Sequence, residues 1–113
     1  MSPNARRGEI SAELDGKRYR LCLTLGALAE LETAFDAGDL AGLVERFSGG
    51  RLSANDMVRI IGAGLRAAGN GLSDDEVRAM RAEDGAAGFA RIVSDLLTAT
   101  FGGEARGEPP PNP

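Results

Sequence analysis

Asp15-Gly16 separates two six-residue runs of alternating polarity, Glu9-Ile-Ser-Ala-Glu-Leu14 and Lys17-Arg-Tyr-Arg-Leu-Cys22. Asp-Gly between such runs suits a two-residue type I′ turn, because both central residues of that turn need positive φ. The turn dictates the register: Leu14 opposite Lys17, Ala12 opposite Tyr19 and Ile10 opposite Leu21 on one face. The other face pairs Glu13 with Arg18, Ser11 with Arg20 and Glu9 with Cys22. One face is then apolar and the other carries opposite charges, a sorting that a one-residue slip would destroy. Two strands alone are marginal in water, so the apolar face requires a helical layer.

The rest of the chain supplies one. Thr24 can cap a helix over about 25–36, with Leu25, Leu28, Leu31 and Phe35 at helical spacing and Gly38 as a left-handed stop. Asp39 precedes Leu40, Leu43, Val44 and Phe47, which predicts a short helix over 40–47 closed by Gly49-Gly50. Ser53-Ala-Asn-Asp56 has capping-box form and opens a helix over 54–68, with Leu52 placed to staple onto Met57. Its apolar face is Met57, Ile60, Ile61, Gly64, Leu65 and Ala68; Gly62, Ala63 and Gly64 would let another element approach closely. Gly69-Asn70-Gly71 breaks it. A full Ser73-x-x-Glu76 box starts a helix over 74–81, with Leu72 against Val77. Asp84 is placed to cap a last helix over 85–101, whose broad apolar face includes Phe89, Ile92, Val93, Leu96, Leu97 and Phe101. The expected fold class is α+β and mostly helical: an N-terminal two-stranded antiparallel β-hairpin packed on four to five α-helices. Residues 9–102 are expected to form a single globular domain, with a flexible stretch 1–8 and a disordered Pro-rich tail 103–113.

Composition narrows the chemistry. The 113 residues suit one domain, and aromatic residues make up 4 %, so the core must be built from aliphatic side chains. The chain has no histidine, which removes the usual general base and the commonest metal ligand. Cys22 is the sole cysteine, so no internal disulfide, thiolate zinc cluster or CxxC pair can form. No apolar run approaches the roughly 20 residues of a membrane span, and the start lacks a signal-peptide core, so a cytoplasmic protein is expected. Thirteen Lys plus Arg against seventeen Asp plus Glu gives a net charge of −4, which opposes an electrostatic grip on nucleic acid or anionic membrane.

Four chemical readings are disfavoured by context. The glycines of Ile61–Gly71 fall within and at the end of a helix, where a phosphate loop would lie between a strand and a helix start. Asp74-Asp75-Glu76 opens a helix and complements its dipole, without the ligand spacing of a calcium loop. The helices over 54–68 and 74–81 could form a helix-turn-helix, with Arg59 and Arg66 on the first and Arg78 and Arg81 on the second. Its recognition helix would open on three carboxylates, which repel phosphate. Glu30 and Glu32 do not share a helix face, so no paired acid and base arises. Neither an enzyme nor a cofactor is expected.

Three stretches resemble one family: Tyr19–Glu32 (YRLCLTLGALAELE), Gly50–Gly69 (GRLSANDMVRIIGAGLRAAG) and Gly88–Gly102 (GFARIVSDLLTATFG). They are similar to the small gene transfer agent protein related to phage tail assembly chaperones, also described as a tail tube protein. The resemblance spans roughly residues 8 to 102 and carries no catalytic signature. It implies a protein of a prophage-derived particle that acts while the tail is built, holding the tape-measure protein soluble until tube subunits polymerise around it. The partners it implies are the tape-measure protein or another tail protein, and self-association into a homo-oligomer is compatible with it; nucleic acid and membrane are not expected. The alternatives are a structural tail (tube) component of the particle and, with least support, a helix-turn-helix DNA-binding regulator. A tube subunit is expected to close rings through sheets, whereas the pattern holds one hairpin beside several helices, which favours the chaperone.

Leu40, Leu43 and Phe47 are the candidate partner-binding residues. Their short helix is flanked by Gly38 and Gly49 and contains Gly42, a composition that favours local opening. The alternative follows the general rule that a helical stripe faces inward, which would put all three in the core.

Overall fold

The computed structural model describes residues 8–49 and 51–102. The flexible start expected over 1–8, Gly8 apart, and the Pro-rich tail expected over 103–113 lie outside the described residues.

Asp15 and Gly16 take φ of 54° and 75°, the two positive values that a type I′ turn demands. Strands β1 (Glu9–Leu14) and β2 (Lys17–Cys22) pair antiparallel in the register set by that turn, from Glu9 opposite Cys22 to Leu14 opposite Lys17. Ala12, Leu14 and Leu21 are buried, and Ile10 and Tyr19 pack half-buried beside them. The turn is anchored from outside the hairpin. The Asp15 N–H donates to the Arg81 carbonyl at 2.9 Å, the Arg81 N–H donates to Asp15 Oδ1 at 3.0 Å, and Leu14 bridges to Ala82.

Five α-helices follow among the described residues: α1 (Leu25–Ala34), α2 (Leu40–Ser48), α3 (Ala54–Ala67), α4 (Asp74–Arg78) and α5 (Gly85–Leu97), which continues into a π-helical turn, Thr98–Gly102. The fold is thus α+β, a hairpin against a helical layer. Thr24 caps α1 through the Ala27 N–H, Asp39 caps α2 through the Gly42 N–H, and both capping boxes, Ser53 with Asp56 and Ser73 with Glu76, are complete.

Several local features depart from the sequence reading. Helix α1 ends in a Schellman motif in which Asp36, at φ 54°, takes the left-handed position. The Ala37 N–H donates to the Glu32 carbonyl and the Asp36 N–H to the Thr33 carbonyl, so Gly38 is not the stop. Leu25 is 75 % exposed. At ~100° per residue it lies beyond the arc of Ala27, Leu28 and Leu31 that faces the core. Helix α4 is cut short at Arg78, not 81, because Arg81 and Ala82 are drawn into the pairing with the hairpin turn. Asp84 does not cap α5: its backbone, at φ −100° and ψ 23°, is not extended as an N-cap requires, and its carboxylate accepts from Arg91 at 3.1 Å instead.

Helix α3 is the central element, in contact with α1, β2, α4 and α5. Its two interior glycines have different reasons. A Cβ on Gly64 would stand 2.8 Å from Leu96 Cδ2 and 3.4 Å from Leu21 Cβ, so the missing side chain is what lets β2 and α5 close on the helix together. A Cβ on Gly62 would stand 2.2 Å from Asp74 Oδ1, where the carboxylate reaches Arg66. Gly69, at φ 101°, ends α3 in a second Schellman motif, and the Asn70 side chain ties that end to the Arg20 carbonyl of β2 at 2.9 Å.

The two glycines separate in a denaturation experiment. Gly64→Ala presses a methyl group into a closed core and should cost about 1–3 kcal/mol by urea titration, more than the ~1 kcal/mol gained in helix propensity. Gly62→Ala displaces only a half-exposed carboxylate, so gain and loss should cancel to within about 1 kcal/mol. Equal effects of the two substitutions would contradict this assignment.

Candidate protein-contact groove

The stripe Leu40, Leu43, Phe47 divides in the structure. Leu43 is 0 % exposed and belongs to the core, whereas Leu40, at the first position of α2, is 39 % exposed. Phe47 is half-buried. Its ring meets that of Phe35 edge to face, with centroids 5.5 Å apart and planes at 89°, and the Arg46 guanidinium stands 5.4 Å from the Phe35 centroid. Gly42 has a packing role: a Cβ there would lie 2.4 Å from the Ala37 carbonyl oxygen. Its glycine therefore serves the close turn between α1 and α2 and is no sign of a loose helix. Of the three residues, Leu40 is exposed and Phe47, half-buried, borders a depression along α5, while Leu43 is closed off in the core.

A larger apolar surface lies elsewhere. A depression of about 250 Å³ opens between α4 and the start of α5, with α3 as its floor. Ala54, Met57, Val58 and Ile61 come from α3, Val77, Arg78 and Met80 from α4 and the residues after it, and Ala86 and Phe89 from α5. A second depression, of about 370 Å³, is lined by Phe47, Leu52, Met57, Ala90, Val93, Ser94, Leu97 and Thr98. Met57 borders both, and both follow α5, from Ala86 to Leu97. At ~1.5 Å per residue that flank runs about 16 Å, three turns of a helix. Its only charged lining residue is Arg78, whose guanidinium is held by Asp75 at 2.6 Å and by the Asn55 side chain at 2.7 Å.

The residue types explain why this trough forms. The apolar arc of α3 extends from Ile60 through Met57 and Ile61 to Val58, roughly 160° of the helix surface, more than its neighbours cover. Methionine at positions 57 and 80 gives the trough an adaptable, polarizable lining that suits an apolar partner of imprecise shape. Sequence reasoning assigned Met57 and Phe89 to the core and gave Val58 and Met80 no role. Val58, apolar but off the predicted stripe, was the available signal.

Several charged groups are occupied in holding the fold. Arg66 donates to the Leu72 carbonyl at 2.9 Å and to Asp74 at 3.0 Å, and also pairs with Glu30. Burial works against its charge, but the hydrogen bonds and the charges of Glu30 and Asp74 outweigh it and raise the pKa above the ordinary arginine value. Arg46 pairs with Asp56 at 3.3 Å, across from α2 to α3. With Arg66 and Arg78 engaged and α4 only five residues long, the would-be helix-turn-helix has no recognition helix to place in a groove. Among the described residues no cluster of His, Cys, Asp or Glu could hold a metal ion, and no helix is long and apolar enough to cross a membrane. Burial, with a smaller contribution from the Glu9 charge, raises the pKa of the Cys22 thiol.

Two measurements check these placements. Leu43→Ala should destabilise the protein by about 2–5 kcal/mol, while Leu40→Ala should change stability by less than about 1 kcal/mol. A raised thiol pKa means less thiolate at a given pH, so Cys22 in the native protein should react with iodoacetamide at pH 8 more slowly than in urea-unfolded chain. Equal rates would show that the native fold does not protect the thiol.

No curated protein and no solved structure matches the chain. Residues 7–103, which include every strand and helix described above, match the family described as phage tail tube protein, GTA-gp10. The chain therefore belongs to the GTA-gp10 family of gene transfer agent tail proteins.

Proposed function

We propose that the protein acts in the cytoplasm during tail assembly as a non-catalytic chaperone, holding the tape-measure protein soluble until the tube forms around it. The observation that carries this reading is the trough along α5, mainly apolar at the Met57 and Met80 end, more mixed toward Ser94 and Thr98, and with Arg78 as its one charged lining residue. A long helical polypeptide aggregates through its apolar stripe unless the stripe is covered, and a trough three turns long accepts one such segment. A methionine lining favours tolerance over strict specificity, which suits a partner presenting many related segments. A limited apolar contact also permits later displacement by tube subunits.

A second reading, a structural subunit of the tube, is favoured by the family's own description as a tail tube protein. Against it stands the sheet content: the described residues form a single two-stranded sheet, a small basis for a ring closed through strands.

The two readings separate by co-expression with the tape-measure polypeptide of the same particle. The chaperone reading expects co-elution on size exclusion, with the tape-measure chain insoluble when expressed alone. Ala86→Glu with Ser94→Glu places charge in the trough at exposed positions, and should abolish co-elution while leaving the circular dichroism spectrum unchanged. Failure to co-elute, together with abundant protein in purified particles by mass spectrometry, would favour the tube subunit.

A further inference from the structure

We infer that Asn70-Gly71 is a modification site at which the chain ages by deamidation, and that the fold restrains the reaction by holding the Asn70 side chain against β2. Of the four asparagines in the sequence, Asn70 is the one followed by glycine. That pair reacts most readily because glycine places no Cβ in the way of its own nitrogen. The Gly71 nitrogen, losing its proton, bonds to Asn70 Cγ, and the Cγ–Nδ2 bond breaks to release ammonia. Water then opens the five-membered imide at either carbonyl. Opening at the side-chain carbonyl leaves aspartate, and opening at the main-chain carbonyl leaves isoaspartate, with the backbone rerouted through the side chain. Water is the sole co-reactant, and nothing is oxidised or reduced.

The nucleophile stands free. Gly71 is exposed, nothing lies within 4 Å of where its Cβ would be, and its N–H has no hydrogen-bond partner among the described residues. The chain turns tightly about it, with the Leu72 N–H donating to the Asn70 carbonyl at 2.8 Å. The electrophile, by contrast, is held. Asn70 is half-buried, and its Nδ2 donates to the Arg20 carbonyl at 2.9 Å and to the Leu65 carbonyl at 3.2 Å. Attack requires the side chain to leave both acceptors and turn Cγ toward the Gly71 nitrogen. The Asn70 N–H also donates to the Leu65 carbonyl, at 2.9 Å, so the latch on the side chain and the last turn of α3 open together.

The product does not re-form the tie. An ionised carboxylate has acceptors only, so at position 70 it would face the Arg20 and Leu65 carbonyls with no proton to share. Isoaspartate in addition lengthens the main chain by one atom between α3 and α4. Leu72, just beyond, gives its carbonyl to Arg66 at 2.9 Å, so the strain reaches the junction that seats α4 on α3. The modification is therefore a one-way release of the end of α3 from β2.

The test follows the mass of the full chain during incubation in mildly alkaline buffer, with peptide mapping to place the change. Conversion adds about 1 Da, whereas isomerisation at Asp15-Gly16 or Asp84-Gly85 adds nothing, so the two are told apart. The native chain should gain this mass at Asn70, and the urea-unfolded chain should gain it roughly tenfold faster or more. Gly71→Ala, which has open space for its methyl group, should fold normally and slow the reaction in both states. Gly69→Ala strains a residue at φ 101° and should speed the native reaction by loosening the helix end. Asn70→Asp, made directly, should show faster amide hydrogen exchange in the last turn of α3. Equal rates in native and unfolded chain, or a native rate unmoved by Gly69→Ala, would show that the fold does not gate the site. A native chain that gains no mass over many unfolded-state half-lives, a Gly71→Ala chain that converts as fast as its parent, or unchanged exchange in Asn70→Asp would likewise overturn the inference.

Discussion

Helix α3 passes between the hairpin and α5 at Gly64, where β2 and α5 both reach the helix backbone. A Cβ there would collide with Leu96 on one side and touch Leu21 on the other, and both are fully buried. The close crossing has two consequences. It lets a two-stranded sheet, too small to bury a face by itself, share a core with two helices at once. It also sets how deep α5 sits, and hence which flank of α5 is left uncovered. The trough is in this sense the complement of the core: Gly64 draws α5 toward β2, and the apolar arc of α3 is then wider than the contact it makes. Val58 and Met57 remain at the surface because the helix that could have covered them is held elsewhere.

The parts of the fold legible in the sequence are those decided within a few residues. Asp15-Gly16 permits one turn geometry, and alternation on both sides then determines the whole register. The capping boxes at Ser53 and Ser73 are equally local, since each depends on a side chain three residues away. Readings failed where tertiary contacts override local preference. Asp84 is an apt N-cap by composition, but the chain arrives at α5 with a backbone bent away from the extended form, and Arg91 claims the carboxylate. Helix α4 has the periodicity to continue, yet its next residues pair with the hairpin turn. Leu25 has the right residue type and sits on the wrong side of its helix. Gly42 read as looseness because sequence cannot show that the Ala37 carbonyl lies 2.4 Å from where its Cβ would be.

The candidate site was less legible than the fold, and for a physical reason. An apolar residue facing the core and one facing a trough obey the same helical spacing, so periodicity alone assigns both to the interior. Met57 satisfies the core pattern of α3 and still borders both depressions. Leu43 and Leu40 show the converse: three residues apart on one predicted stripe, one is fully buried and the other free. What distinguishes them is which neighbour arrives to cover each. Excess breadth of the apolar arc, with Val58 outside the ideal stripe, is the trace that such a surface leaves in sequence.

The distribution of charge follows from the same economy of elements. A larger protein could neutralise Lys17, Arg18 and Arg20 with acids from a further layer, but here the outer face of the hairpin has none above it. The guanidinium groups of α3 and α4 are engaged within the fold: Arg66 joins α3 to Glu30 of α1 and Asp74 of α4, and Arg78 of α4 pairs with Asp75 in its own helix and reaches Asn55 of α3. On β2, by contrast, Lys17, Arg18 and Arg20 enter no ion pair among the described residues. Exposed charges add little to stability, so those on the hairpin keep its outer face solvated while the apolar face and the helix crossing at Gly64 hold the fold together.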